Sequence, residues 1–227
     1  MDPSERVLIV IPALNAVSTI GEIVLASCRI GYPVLVVDDG STDGTGPRAE
    51  SSGAFVLMHE RNQGKGGALK TAFAHALKHG YDAVVTLDAD GQHLPDQVSL
   101  FVEEWKTRGA DLIIGSRRHL FKGMVGRRRA ANLFSAWTIS VAAGIRVIDS
   151  QSGFRLYSAE LLRGVQVVAQ GFDAESEIIV RAGRGGFKVA FIPIALGFID
   201  GVHTSHYRPL WDTLKIAFRV VRTTLFR

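Results

Sequence analysis

A series of short apolar runs, each ending in a polar cluster, constrains the fold of this chain more than any other feature. The run 6–11 (RVLIVI) is almost continuously hydrophobic and stops at Pro12. A run of that kind fits a strand covered on both faces. The run 34–37 leads into DDGSTD at 38–43, the run from 83 into DADGQ at 88–92, and the run 111–115 into SRR at 116–118. Helical stretches lie between them. One starts near Thr19, where Thr19 and Glu22 have the spacing of a capping box. Others cover 44–52, about 67–79, and a segment opened by Pro95 that runs to about 107. A further strand is expected over 54–58. Strand alternating with helix across short links predicts an α/β fold with a doubly wound, mostly parallel sheet. Ligands of such sheets sit beyond the carboxyl ends of the strands. The clusters at 12–15, 38–43, 88–92 and 116–118 therefore predict one shared site.

The second half is less regular. A basic triplet, Arg127, Arg128 and Arg129, precedes a helix bearing Leu133, Phe134, Trp137 and Val141. The stretch 149–155 (DSQSGFR) reads as a loop, 160–164 as a short helix, the segment from 171 as another helix, and 187–194 as a last strand. Residues 210–227 are amphipathic, with Leu210, Leu214, Phe218, Val221 and Leu225 on one stripe and Lys215, Arg219 and Arg222 beside it. The 227 residues suit one domain, 1–227, with halves meeting near 118 and the amphipathic tail from 210. A formal charge of +4 is too small to call for nucleic acid, but it suits a phosphate-rich ligand or an anionic membrane surface. The one cysteine, Cys28, excludes an intrachain disulfide and a cysteine-cluster metal site. No signal peptide is visible, and no apolar run is long enough for a transmembrane helix. The expected location is cytoplasmic, at the membrane face.

The stretch 83–95 (AVVTLDADGQHLP) carries the chemistry. Alternation along an extended strand puts Asp88 and Asp90 on one side. Two like charges that close repel, and a divalent cation removes the conflict. The oxygens of Asp88, Asp90 and the Gln92 amide suit Mg²⁺ or Mn²⁺. Such a cation bridges nucleotide phosphates and steadies a leaving diphosphate. Asp39 is available for a base or ribose. The loop around Lys65 lacks the spacing of a P-loop, and the first strand–helix turn lacks G-x-G-x-x-G.

With those pieces in place, the chain resembles the family-2 glycosyltransferases of the GT-A fold, and within them the dolichol- or polyprenyl-phosphate sugar transferases. The resemblance rests on VLIVIPALN, VLVVDDGSTDGT, RNQGKGGALKTAF, VVTLDADGQHLP, IIGSRR, RVIDSQSGFRLYS, GFDAESEIIVRA and GFKVAFIPI, in that order over residues 7 to 194. It implies a donor that is a GDP- or UDP-sugar, a lipid-phosphate acceptor, and a metal held by Asp88, Asp90 and Gln92. Pro12 and Leu14 would line the nucleotide pocket, with Asp39 on base or ribose. Arg117, with Arg128 and Asn132 on the following helix, would grip the acceptor phosphate, so that Asp90, Arg117 and Arg128 carry the catalysis. Where the family commonly has Glu after the Asn of the first turn, Ala16 follows Asn15, and the base is left unassigned.

Each assignment has a structural alternative. Asp38 is placed at the donor, or caps a helix. Lys65 is placed at the donor, or is solvated. Arg155 is placed at the acceptor, or pairs with a carboxylate. Asp173, Glu175 and Glu177 open a helix, where acids favour the dipole anyway. His203, His206 and Arg208 reach the donor diphosphate or anchor the tail. The tail packs on the sheet or lies at a membrane surface. Three competing functions remain. They are transfer to a hydroxyl, with Asp149 or Asp173 as base, a sugar-nucleotide nucleotidyltransferase, and a membrane-binding module without catalysis.

Overall fold

A computed structural model describes residues 6–118 and 126–197, with the segment 126–132 described in its backbone only. The side chains of Arg128 and Asn132, the group His203, His206 and Arg208, and the amphipathic tail 210–227 lie outside the described residues. Seven strands form one sheet in the order β3-β2-β1-β4-β6-β5-β7. They are β1 (Val7–Ala13), β2 (Val34–Asp38), β3 (Phe55–Met58), β4 (Ala83–Thr86), β5 (Leu112–Ser116), β6 (Arg155–Ser158) and β7 (Val189–Pro193). All neighbours pair in parallel except β6, which runs antiparallel to both β4 and β5. The mostly parallel, doubly wound expectation holds.

The helices are α1 (Val17–Cys28), α2 (Thr45–Ser51), α3 (Lys65–Lys78), α4 (Val98–Arg108), α5 (Gly126–Ala143), α6 (Ala159–Gly164) and α7 (Asp173–Arg184). They cover both faces of the sheet, which is why β1 and β2 are buried on both sides. Leu8 and Val10 point into a core with α3, α5 and α7. Ile9 and Ile11 point into a second core with α1 and α4.

Three local expectations are corrected. First, α1 begins at Val17 and has no side-chain cap. Its first amides are capped from the neighbouring loop, as the Asn15, Ala16 and Val17 N–H groups donate to Ser41 Oγ, Thr45 Oγ1 and Asp43 Oδ2 at 2.9, 2.8 and 3.0 Å. Thr19 is buried inside the first turn and its hydroxyl lies 2.6 Å from the Ala89 carbonyl. Second, β4 ends at Thr86, so a turn, not strand alternation, brings Asp88 and Asp90 together. Third, β6 occupies a stretch whose opening arginine hid a strand of only four residues.

The entry to α3 depends on close backbone approach. The Gly66 and Gly67 N–H groups both donate to the Gln170 carbonyl, at 2.7 and 3.2 Å. A Cβ on Gly66 would meet Ala169 O at 2.6 Å and Gln170 C at 2.7 Å. Gly66→Ala is therefore expected to destabilise the protein by about 1–3 kcal/mol, the range for overpacking. A fall in the urea midpoint with an unchanged slope would report it.

Candidate active site

The loops after β1, β2, β4 and β5 and the start of α7 surround a cavity of about 490 Å³. Pro12, Leu14, Asp39, Lys65, Asp88, Asp90, Gln92 and Arg117 all line it. His93 and Glu175, which the sequence reading did not place there, line it too.

Asp39 is buried and its carboxylate organises the next loop. Oδ1 accepts from Gln63 N at 2.9 Å and from His59 Nδ1 at 2.6 Å, and Oδ2 accepts from Gly64 N at 2.8 Å. The other His59 nitrogen lies 2.9 Å from Thr71 Oγ1. A histidine directly after β3 was the one sequence signal for this partner. Asp38 does not line the cavity, which corrects its donor assignment. It ends β2 on the opposite side, where Oδ1 accepts from Ser41 N at 2.9 Å and the other oxygen packs against Gly46.

Asp88 is paired with a lysine. Lys65 Nζ donates to its Oδ1 at 2.6 Å and to Glu175 Oε2 at 3.1 Å. Burial opposes the charge on Lys65 and on Asp88, but their mutual attraction wins. It raises the lysine and holds the carboxyl far below the usual range. The Asp88 N–H donates to His93 Nδ1 at 3.3 Å, and burial pushes the His93 pKa down to about 4, so the ring is neutral. The antiparallel register of β4 on β6 pairs Thr86 with Arg155. Two residues further along, the same register sets Asp88 opposite Gly153, where a Cβ would strike its carboxylate. That is the physical link between the DADGQ and SQSGFR stretches.

Asp90 is different. Burial, then the neighbouring Asp88, raise its pKa, so negative charge on this wall is under-compensated. Its Oδ1 accepts from the Gln92 N–H at 3.0 Å. Among the described residues no group of three or more His, Cys, Asp or Glu could hold a metal. Two carboxylates and an amide facing an open cavity still fit a hard cation that takes its remaining ligands from phosphate and water.

Arg117 is held into the cavity by Asp149. Its N–H and Nε both donate to Asp149 Oδ2, at 3.1 and 3.3 Å, while Oδ1 accepts from Gln151 N. Asp149 is thus committed to an arginine. Arg155 does not reach the cavity, which corrects its acceptor assignment. It is fully buried and donates to the carbonyls of Ser152, Glu175 and Ser150 at 2.7, 2.8 and 2.9 Å. Glu177 is likewise structural, accepting from Val168 and Ala169 N–H and from Arg181.

A seven-stranded α/β sheet with an acidic cavity at its strand ends is the GT-A type of nucleotide-sugar fold. Residues 8–165 match the profile of Glycosyl transferase family 2, and the chain belongs to that family: it is a glycosyltransferase. It is 35% identical to undecaprenyl-phosphate mannosyltransferase of Micrococcus luteus over 204 residues, covering 83% of this chain and 82% of that protein. It is 31% identical to polyprenol monophosphomannose synthase of Mycolicibacterium smegmatis, covering 85% of this chain and 77% of that one. Among solved structures it is similar to glucosyl-3-phosphoglycerate synthase of Mycobacterium tuberculosis in complex with Mn²⁺, UDP and phosphoglyceric acid. The TM-score is 0.74 at 25% identity, over 98% of this chain and 78% of that one.

Because Arg155 ties three carbonyls together, Arg155→Met is expected to cost about 3–5 kcal/mol of stability. Denaturant unfolding would measure it. The guanidinium itself does not line the cavity, so any change in acceptor KM in the folded variant would act through the Ser150 and Glu175 segments it holds, both on the cavity wall.

Proposed function

We propose that this chain transfers a sugar from a nucleotide-diphosphate sugar to a polyprenyl phosphate, with inversion at the anomeric carbon. The observation that carries the acceptor is the Arg117–Asp149 pair. The carboxylate nearest the acceptor side is spent on orienting a guanidinium, so it is poorly placed to act as a base toward a hydroxyl. Asp173, the other candidate base, is not among the residues lining the cavity. A phosphate acceptor is already anionic and needs an arginine more than a base. The names of the Micrococcus and Mycolicibacterium relatives agree with this acceptor.

On this reading Asp39 and the residues Pro12 and Leu14 receive the nucleoside. Asp88, Asp90 and Gln92 hold Mg²⁺ or Mn²⁺, as the metal-containing complexes of the structural neighbours support. When bound, the cation supplies charge neutralisation for the leaving diphosphate. Arg117 sets the acceptor phosphate in line with the sugar. Arg128 and Asn132 are proposed to assist from α5. Among the described residues no helix is long and apolar enough to cross a membrane. We place the protein at the membrane surface, through the tail 210–227 and the exposed Phe134, Trp137 and Val141 of α5. The structural neighbour bound to phosphoglyceric acid favours a second reading, transfer to a soluble anionic acceptor.

Two measurements test this. Arg117→Ala should raise the acceptor KM roughly thirtyfold, about 2 kcal/mol, and leave the donor KM within about twofold. An equal loss on both sides would remove the acceptor role. Wild-type enzyme given GDP- or UDP-sugars with Mn²⁺ should turn over with a short polyprenyl phosphate and not with phosphoglyceric acid. The reverse preference would establish the soluble acceptor.

A further inference from the structure

The seat that a cation would take on Asp88 is already filled by Lys65. Its Nζ lies 2.6 Å from Asp88 Oδ1 and 3.1 Å from Glu175 Oε2, and the side chain is only 12% exposed. Asp88 cannot retreat, because the Gly153 backbone stands against its carboxylate. The backbone of Lys65 is pinned as well. The amides on either side of it serve fixed acceptors, Gly64 N on Asp39 and Gly66 N on Gln170 O. What remains free to change is the direction of the lysine side chain.

We infer that Lys65 is a built-in counter-ion that keeps the Asp88–Asp90 pair from taking a divalent cation until a diphosphate enters the cavity. A dication approaching the protein without nucleotide meets an ammonium at its first ligand. Displacing that ammonium would leave it buried with half of its compensation gone. A diphosphate changes the exchange. Its oxygens offer Lys65 a new anionic partner within the cavity that it already lines, and Asp88 is released to the metal. Metal and nucleotide then bind as one unit. The inference rests on the donor-site reading above.

The test uses Mn²⁺ and the full chain. Titration of the free-ion electron paramagnetic resonance signal with wild-type protein, without nucleotide, should show weak binding. Lys65→Gln should bind Mn²⁺ alone about tenfold or more tightly, and Lys65→Arg should match wild type. Equal affinity of Lys65→Gln and wild type overturns the inference. Should Lys65→Gln fail to fold, the double variant Lys65→Gln/Glu175→Gln removes the second stranded carboxylate and carries the same expectation. A thermal-shift arm on wild type needs no variant. Mn²⁺ with GDP or UDP should raise Tm where Mn²⁺ alone does not, and a rise as large without nucleotide also overturns the inference. If neither GDP nor UDP shifts Tm with Mn²⁺, the donor-site reading fails. The comparison of Lys65→Gln with wild type on Mn²⁺ alone still decides the role of Lys65.

Discussion

Five carboxylates, Asp38, Asp39, Asp149, Glu175 and Glu177, are buried among the described residues. A buried charge is tolerable only when each is met by a donor or an opposite charge. That requirement organises the site. Asp39 is met by two backbone amides and His59, Asp149 by Arg117, Glu177 by two amides and Arg181, and Glu175 by Lys65. The pairings of Asp39, Asp149 and Glu175 tie parts of the chain that are distant in sequence, while Glu177 braces α7 against the loop before it. The cavity wall is therefore a set of cross-braces between β2, β4, β5 and α7, and its shape follows from charge compensation as much as from apolar packing.

Half-met groups mark the place where a ligand belongs. Burial, and then the charge of Asp88, raise the Asp90 pKa, while Lys65 is hydrogen-bonded to Asp88 and Glu175. One oxygen of Glu175 is buried without a hydrogen bond, 3.9 Å from the Arg155 guanidinium. The inner wall thus carries more negative charge than its own cations neutralise. A metal-bound diphosphate brings cation and anion together, and it changes the net charge of the wall less than either component would by itself.

The strands and the loops after them were legible because each has a local cause. RVLIVI is a buried strand in any context that covers both faces, and DADGQ after an apolar run announces a strand-end turn. Asp38 and Asp39 show where local reading stops. They are adjacent, both aspartates and both buried, yet the pleat turns one toward the cavity and the other toward Gly46. Arg155 was misplaced for a related reason. Its neighbours Ser152 and Gly153 resemble a binding loop, but its register opposite Thr86 carries the guanidinium beneath the site, where it holds three carbonyls. Glu175 and His59 depend on contacts across more than a hundred and about twenty residues. No spacing rule encodes such pairings.

On the proposed reading, donor and acceptor are handled by different parts of this arrangement. The donor side is built from β1, β2, β4 and the entry of α3, whose ties to the second half of the chain run through the β4–β6 pairing, Gln170 and Glu175. The acceptor side is built around Arg117, and its orientation depends on Asp149 and the loop that precedes β6. That loop can change without disturbing the amides that cap α1 or hold Asp39. Glu175 lies where the two meet, because its backbone carbonyl is held by Arg155 and its side chain by Lys65. Through that residue, the lysine on the donor wall and the buried arginine under the acceptor loop are braced by one turn of α7.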